Sequence, residues 1–304
     1  MAAASEMVGE YRLFYLIRAG ATFEIWAVRH RSETDAYAIK LLKKGSKYSR
    51  TTVAELKHEY NVGKALEHPA VIQTYDFGVA KEGAWLRMEL FKELNIKQQL
   101  VASKQTPALK TKLTYRMKEI LTKCAAGIAH MHDKGWVHRD IKPDNFLLSD
   151  ATEVKLIDFT IASKPTGGLA KLLGGKAKIQ GTYSYMAPDQ IRGQGVDPRD
   201  DIYSFGCMVH ELMCGALPFT ANSPNELMQK HIKSKPPSLV VADKNINPDF
   251  AAYVQKMLAK DRNDRPANMK EVLMKIKTDR LFYQTPDPPA EGAEAQAAEE
   301  EDQV

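Results

Sequence analysis

Hydrophobic and polar positions follow two different periods along this chain. Over most of the first ninety residues, short runs rich in β-branched and aromatic residues, such as YRLFYLI, EIWAV and YAIKLL, predict strands. One stretch in this part, VAELKHEYNVGKALEH, has apolar residues near helical spacing and stops at His68 and Pro69. The pattern therefore predicts a small β-rich lobe that contains one main helix.

Helical spacing dominates from Leu113 onward. One apolar face comprises Met117, Ile120, Leu121, Cys124, Ile128 and Met131. Gly135 follows this stretch and suits the left-handed residue that ends a helix. Further helices are predicted at Asp201 to Cys214, Asn225 to Lys233, Pro248 to Leu258 and Asn268 to Lys277. The chain is expected to form an α+β fold of two lobes, about residues 11–90 and about 95–280, joined near Met88 to Asn95.

Composition and charge restrict the class of protein. The chain has 304 residues, of which 44% are hydrophobic and 27% charged, which is typical of a soluble globular protein. Its formal charge is +5, but residues 286–304 carry seven acids and no Lys or Arg, so the rest of the chain carries +12. This segment is too poor in large apolar residues to fold, and we predict a disordered acidic tail. Residues 1–10 are predicted to be an N-terminal extension.

The positive body could attract nucleic acid, anionic lipid or ligands that carry phosphate. No patch interleaves aromatic and basic residues, so no nucleic-acid partner is expected. The longest apolar segment, IYSFGCMVHELMCGALPF, contains His210 and Glu211 and is short for a membrane span, so it predicts a buried helix. The opening lacks a signal segment and the three cysteines form no paired framework, which favours a cytoplasmic protein. Oligomeric state stays open.

The stretch VHRDIKPDN places several polar groups directly after an apolar helical stretch. Alone, Asp140, Lys142, Asp144 and Asn145 would suit a solvated turn. Eighteen residues after Asp140, however, Asp158 follows the apolar run of KLIDFTIA. Two carboxylates and the Asn145 amide could converge around Mg²⁺ and a phosphate, because Mg²⁺ prefers hard oxygen ligands.

At this point the chain resembles the eukaryotic-type protein kinase family, serine/threonine branch, from about Tyr11 to Lys277. The catalytic-loop motif HRDLxxxN is present as HRDIKPDN, with only Leu changed to Ile. The resemblance implies a bilobal kinase fold that uses ATP and Mg²⁺ to phosphorylate a Ser or Thr hydroxyl of a protein substrate. It implies that Asp140 orients or deprotonates the hydroxyl, Lys142 steadies the γ-phosphate, and Asn145 and Asp158 hold magnesium.

The resemblance extends to the nucleotide site. YAIK supplies Lys40 as the strand lysine that contacts the α- and β-phosphates, with Glu59 as its expected partner and Glu55, one turn earlier, as the competing choice. The phosphate-covering loop GxGxxGxV falls on RAGATFEI, which keeps only Gly20 of three glycines. The expected nucleotide contacts are Arg18, Ala19, Gly20, Ile25, Ala38, Met88, the backbone of Glu89 to Phe91, and Leu147.

Two further motifs depart from the family pattern. DFT replaces DFG, and a β-branched Thr160 should restrict the conformations of Asp158 and Phe159. GTYSYMAPD carries Asp189 in place of the usual glutamate, with Arg265 as its expected bidentate partner. The first motif predicts a segment biased toward one state, and the second favours a protein substrate over a small-molecule one.

Regulation and activity leave alternatives open. The position three residues before Gly181, phosphorylated in many relatives, is Lys178, so activity without that modification is expected and Thr166 stays an untested acceptor. Asp201 is expected to bond the backbone of the catalytic loop. The alternative to an active kinase is a pseudokinase, a nucleotide-binding interaction module, which the altered glycine positions would suit.

Overall fold

The computed structural model describes residues 7–43, 49–166 and 180–287. Its strands are β1 Met7–Val8, β2 Tyr11–Ala19, β3 Phe23–His30, β4 Ala36–Lys43, β5 Thr74–Val79, β6 Gly83–Glu89, β7 Phe146–Leu148 and β8 Val154–Leu156. Its α-helices are α1 Arg50–Lys64, α2 Ile96–Ser103, α3 Pro107–Asp133, α4 Pro188–Ile191, α5 Pro198–Cys214, α6 Pro224–Lys233, α7 Leu239–Ala242, α8 Pro248–Met257 and α9 Met269–Thr278. The predicted α+β fold of two lobes is confirmed.

The small lobe is an antiparallel sheet in the order β1-β2-β3-β4-β6-β5. β-branched and aromatic residues fill these strands because they pack well on a pleated surface. Helix α1 lies against this sheet, with its Leu56 packed in one cluster with Leu42 of β4 and Leu86 of β6. The sheet thereby fixes β4 and α1 relative to each other.

Helix α1 begins at a complete capping box. The Ser49 hydroxyl accepts a hydrogen bond from Thr52 N, and the Thr52 hydroxyl accepts one from Ser49 N. These two bonds satisfy two backbone N–H groups that have no partner within the helix. The helix ends at Lys64, four residues before the His68-Pro69 stop that the sequence indicated.

The large lobe is built on α3 and α5. Every residue of α5 from Asp200 to Met213 is buried, so the apolar segment that predicted a buried helix does form one. Helix α3 extends over 27 residues, and Gly135 after it has φ +72°, as expected for a left-handed helix end. Helix α5 begins three residues before its predicted start, and the three other helices predicted for this lobe are confirmed within one residue at each end. One core cluster runs through this lobe and includes Val62 and Leu66 from the α1 region.

Several short elements were not predicted. Helices α2, α4 and α7 have only eight, four and four residues, and β7 and β8 have three each. Elements this short carry too few periodic positions to be recognised from hydrophobic spacing. Tertiary contacts hold them instead: Asn95, which caps α2, forms a bridge with Leu147 of β7.

The ends of the chain lie partly outside the described residues. Met7 and Val8, which the sequence assigned to an N-terminal extension, pair with β2. The predicted acidic tail lies outside the described residues from position 288 onward. Within the described ranges, no helix combines the length and the apolar character that crossing a bilayer requires.

Candidate active site

A cleft of about 510 Å³ separates the two lobes. Most of the residues that the sequence predicted for the site line this cleft, namely Arg18, Gly20, Ile25, Ala38, Lys40, Glu59, Met88, Glu89, Phe91, Lys142, Asn145, Leu147 and Asp158. Ala19 does not line it, although its neighbours Arg18 and Gly20 do. Asp140 lies at the edge of the cleft, in contact with Lys142 and Asn145.

Lys40 and Glu59 form an ion pair inside the cleft. Lys40 Nζ lies 2.6 Å from Glu59 Oε2, and the two side chains are only 11% and 6% exposed. Burial lowers the pKa of Lys40, but the Glu59 and Asp158 carboxylates outweigh this effect and raise it, so the ammonium stays charged. Glu55, the competing partner, is exposed to solvent one turn away on α1.

Asp158 joins this pair from the segment after β8. Its Oδ1 lies 3.7 Å from Lys40 Nζ and accepts a hydrogen bond from the Thr160 hydroxyl at 2.6 Å. Partial burial raises the pKa of the Asp158 carboxyl, but Lys40 and Thr160 outweigh it and hold that pKa below its ordinary value. Asp158 has φ +67°, an uncommon left-handed conformation for a residue other than glycine.

The catalytic-loop residues are held by hydrogen bonds around Asp140. Asp140 Oδ2 contacts Lys142 Nζ at 2.6 Å, and Asp140 Oδ1 accepts from Thr182 N at 2.8 Å. Lys142 Nζ also donates to the Thr182 hydroxyl at 2.6 Å, and Asn145 Nδ2 donates to Asp140 O at 2.8 Å. Asp140, Lys142 and Asn145 therefore form one bonded group with the segment that contains Thr182.

Gly181 permits this close approach. It has φ +116°, and a Cβ atom there would lie 2.9 Å from Arg139 O. Only glycine avoids both the conformational strain and the steric contact. The glycine that opens the GTYSYMAPD motif is thus explained by backbone packing against the catalytic loop.

Asp201 holds the catalytic loop through hydrogen bonds to its backbone. Its two carboxylate oxygens accept hydrogen bonds from His138 N and Arg139 N, both at 2.8 Å, and one also contacts His132 Nε2 at 2.8 Å. The predicted bonds from Asp201 to the loop backbone are confirmed. Arg139 has φ +71°, so Asp201 holds the loop in a strained conformation directly beside Asp140.

The phosphate-covering turn is closed by a hydrogen bond from Gly20 N to Phe23 O at 2.8 Å. Phe23 occupies the position of the third family glycine, and its ring centroid lies 4.9 Å from Lys40 Nζ. The ring also packs against the apolar cluster that contains Leu42 and Leu56. The bulky side chain is thus partly accommodated in the lobe core and contacts the lysine through a cation–π interaction.

Apolar side chains from both lobes line the deeper part of the cleft. Ile25, Ala38 and Met88 come from the small lobe and Leu147 from the large one. At the connection between the lobes, Glu89 N donates to Gln73 O at 2.8 Å, and Glu89 Oε1 lies 2.7 Å from Lys155 Nζ. The geometry suits a flat apolar ligand beside a backbone edge.

The predicted bidentate pair between Asp189 and Arg265 is wrong in its geometry. Arg265 Nη2 contacts Asp189 Oδ2 at 2.5 Å, while Arg262 Nε lies 3.1 Å from the other oxygen. The remaining Arg265 nitrogens donate to the carbonyls of Ala259 and Arg199. Two arginines share the carboxylate because Arg262 lies only three residues before Arg265 and reaches the same buried site.

The segment between Thr160 and Asp189 is described only at its two ends. Lys178 lies outside the described residues. Thr166 N donates to Val196 O at 2.9 Å, and the Thr166 hydroxyl accepts from Val196 N at 2.8 Å. Arg139 Nη1 donates to the Ser163 hydroxyl at 3.1 Å. The Thr166 hydroxyl is therefore already hydrogen-bonded to the backbone of Val196.

Several residues at the site were not predicted from the sequence. Ile72, Thr74, Glu93 and Phe159 line the cleft, and the Thr160 hydroxyl contacts both Glu59 and Asp158. His58 Nε2 contacts Ala162 O at 2.8 Å. Phe159 and Thr160 belong to the DFT motif, but the motif did not indicate these contacts. Ile72, Thr74, Glu93 and His58 belong to none of the motifs quoted above, so the sequence carried no signal for them.

Comparisons with known proteins agree with this geometry. A family model described as the protein kinase domain matches residues 11–276. The serine/threonine-protein kinase pkn2 of Myxococcus xanthus is 29% identical over 269 residues, which cover 87% of this chain and 32% of that protein. The serine/threonine-protein kinase PknB of Mycobacterium tuberculosis is 27% identical over 294 residues, which cover 95% of this chain and 45% of that protein.

A bilobal fold with an ion pair in its cleft and an HRD-type loop opposite defines the protein kinase class. This chain belongs to the protein kinase domain family, and the resemblance that its motifs indicated is confirmed. Members of this family generally use ATP and Mg²⁺ and act on proteins. The chain spans about a third to a half of the length of the curated relatives described above.

Proposed function

We propose that this domain is a serine/threonine protein kinase that transfers the γ-phosphate of ATP to a protein hydroxyl. The observation that carries the proposal is the convergence of Lys40, Glu59, Asp158 and the Asp140 group on one cleft. Phosphoryl transfer depends mostly on positioning and electrostatic stabilisation. All the charged groups that the reaction needs are present, and the altered positions at the nucleotide site affect glycines.

The nucleotide would bind with its base between Ile25, Ala38 and Leu147 and beside Met88. Because Glu89 N is already bonded to Gln73 O, the purine edge would use the Glu89 carbonyl and the N–H of Phe91. The phosphates would lie under the turn that contains Arg18 and Gly20. Lys40, fixed by Glu59, would contact the α- and β-phosphates.

Asp140 would bind the acceptor hydroxyl and take its proton. The oxygen–phosphorus bond to the acceptor forms as the bond from the γ-phosphorus to the β-phosphate oxygen breaks, and ADP leaves with that electron pair. Lys142, held between Asp140 and Thr182, would neutralise charge on the transferred group. A general base of this kind contributes a factor of about 10²–10⁴ to the rate.

The residues present fit a magnesium ion that is shared with the phosphates. Among the described residues, no group of three or more His, Cys, Asp or Glu side chains could hold a metal alone. Mg²⁺ is instead usually held by one or two protein oxygens together with substrate oxygens. Asp158 and the amide oxygen of Asn145, whose Nδ2 donates to Asp140, would supply these, and bound Mg²⁺ would neutralise charge on the β- and γ-phosphates.

The protein-substrate part of the proposal is supported by the Thr182 segment. Thr182 bonds both Asp140 and Lys142, so the segment that follows Gly181 forms one wall of the acceptor site. The comparisons offer no support for the pseudokinase alternative. Cytoplasmic location and the lack of a nucleic-acid partner stay predictions.

The test is transfer of labelled phosphate from ATP, with Mg²⁺, to a generic basic protein. We expect Asp140→Ala and Asp158→Ala to reduce transfer by a factor of about 10² or more. Asp150→Ala is the matched control, because Asp150 is 78% exposed and contacts only Lys112 among the ion pairs described. Transfer that persists in either site variant, or its absence in the wild type, would refute the proposal.

A further inference from the structure

The Thr160 side chain bridges two carboxylates in the cleft. Its Oγ1 lies 2.6 Å from Asp158 Oδ1 and 3.2 Å from Glu59 Oε2, and its backbone N lies 3.4 Å from Asp158 Oδ1. A hydroxyl carries one proton, so it donates mainly across the shorter distance to Asp158 and in part to Glu59, as a three-centre bond. The glycine of the family motif has no side chain and could make neither contact.

The Thr160 hydroxyl lies between two carboxylates of like charge, those of Glu59 and Asp158. Glu59 and Asp158 both face the single Lys40 ammonium, at 2.6 Å and 3.7 Å from Nζ. One cation between two anions leaves the anions repelling each other, because interactions inside a protein are screened less than in water. A donor aimed at both carboxylates stabilises them together, and it does so before any ligand supplies further positive charge.

The bridge also connects two parts of the fold that are far apart in sequence. Glu59 belongs to α1 and Thr160 follows β8, 101 residues later. The preceding residue of α1, His58, contacts Ala162 O in the same segment at 2.8 Å. Side chains on two adjacent residues of α1 therefore contact the segment that contains Asp158.

Kinase activity requires the lysine–glutamate pair and the magnesium-binding aspartate to be in place together, and many kinases achieve this by phosphorylating the activation loop. We propose that Thr160 is a positioning residue that performs this task without phosphorylation. Its hydroxyl holds α1 and Asp158 in the assembled arrangement in the nucleotide-free protein. The inference rests on the proposed function for its catalytic consequence, but the structural link can be measured without it.

The experiment compares Thr160→Val, which keeps the shape but loses the hydroxyl, with Thr160→Ser, which keeps the hydroxyl. Both proteins are treated with phosphatase and checked by mass spectrometry for the absence of phosphate. Amide hydrogen exchange of α1 is then measured without nucleotide. We expect exchange in the half of α1 around Glu59 to be about tenfold faster in Thr160→Val, and within twofold of wild type in Thr160→Ser. A tenfold change corresponds to about 1.4 kcal/mol.

Steady-state transfer provides the second measurement. In phosphate-free protein we expect kcat to fall about tenfold in Thr160→Val and to recover in Thr160→Ser. Thr122→Val is the matched control, because the Thr122 hydroxyl contacts only Lys118 O in its own helix among the bonds described. Thr160→Ala is measured in parallel, because Ala differs from Ser only by the hydroxyl, so that Ala against Ser tests the same contact should the valine variant not fold.

Two results would overturn the inference. One is equal behaviour of the valine and serine variants, which would assign the effect to side-chain shape. The other is amide hydrogen exchange of α1 in Thr160→Val at the same rate as in the wild type. If the wild type shows no phosphoryl transfer, the proposed function fails, whereas the exchange comparison still decides whether Thr160 links α1 to Asp158.

Discussion

Replacing Asp201 with Asn tests how the fold holds the catalytic loop. The change keeps the shape of a side chain with 0% exposure but replaces one of two oxygens, each of which accepts a backbone N–H at 2.8 Å, with an NH₂ group. The loss of one charge-assisted bond costs about 1.5–3 kcal/mol, and leaving one buried N–H opposite another donor costs about 1–3 kcal/mol. We expect the free energy of unfolding to fall by about 3–5 kcal/mol.

Urea unfolding at pH 7 measures this loss, with Asp150→Asn as the control. Asp150 is 78% exposed, so breaking its ion pair should cost less than about 1 kcal/mol. Because Arg139 has φ +71° and lies next to Asp140, the same variant should lose most of its transfer activity under conditions in which it remains folded. A loss of stability no larger than that of Asp150→Asn would refute the view that Asp201 holds the loop.

Three further variants test other contacts of the fold. Burial and nearby Lys260 lower the pKa of His231 to about 4, so the unfolded chain binds more protons than the folded one between about pH 6.5 and 4. The free energy of unfolding should therefore fall by about 3 kcal/mol as pH falls through this range. His231→Gln should remove this contribution, as measured by urea titrations at several pH values. A Cβ at Gly63 would lie 2.3 Å from Thr74 Oγ1, so Gly63→Ala should lower the melting temperature through a loss of about 1–3 kcal/mol, partly recovered by Thr74→Ala. Asp189→Asn removes the closer of the two carboxylates that contact the buried Arg265, the other being Asp200 at 3.6 Å, and should cost about 3–5 kcal/mol in urea unfolding. A loss below about 1 kcal/mol would mean that Asp200 compensates.

The fold could be predicted because its elements are long enough to show their period. The 17 residues of α5 and the 27 of α3 contain several helical turns each, whereas α4 and α7 contain about one. The strands of the small lobe were marked by β-branched and aromatic residues. Elements of three or four residues depend on contacts with distant parts of the chain, which local periodicity does not reveal.

The choice between Glu59 and Glu55 could not have been made from helical spacing. The two residues are four apart, so both lie near the face of α1 that carries the buried residues Leu56 and Val62. Glu59 Oε2 lies 2.6 Å from Lys40 Nζ, whereas Glu55 is exposed to solvent. Which of two glutamates one turn apart meets the lysine depends on how the helix is placed against the sheet, and the motif spacing was the guide that distinguished them.

The pairing of Asp189 shows what motif reading cannot supply. The motif indicates that Arg265 is its partner, and Arg265 does contact it at 2.5 Å. Nothing in the motif indicates Arg262, whose Nε approaches the second oxygen at 3.1 Å. Which of two arginines three residues apart reaches a carboxylate depends on the path of the short helical turn Arg262–Asp264, and therefore on packing of the whole lobe.

Two of the three family glycines that this chain replaces, those at positions 23 and 160, lie around one ion cluster. The Phe23 ring lies 4.9 Å from Lys40 Nζ, and the Thr160 hydroxyl contacts Glu59 and Asp158. Each family glycine would contribute backbone freedom, which costs entropy when the site assembles. Each replacement reduces that freedom and adds a contact to a charged group. Read singly, either change indicates a weakened site, but because both contact the same cluster, together they favour a site that is assembled before the nucleotide binds.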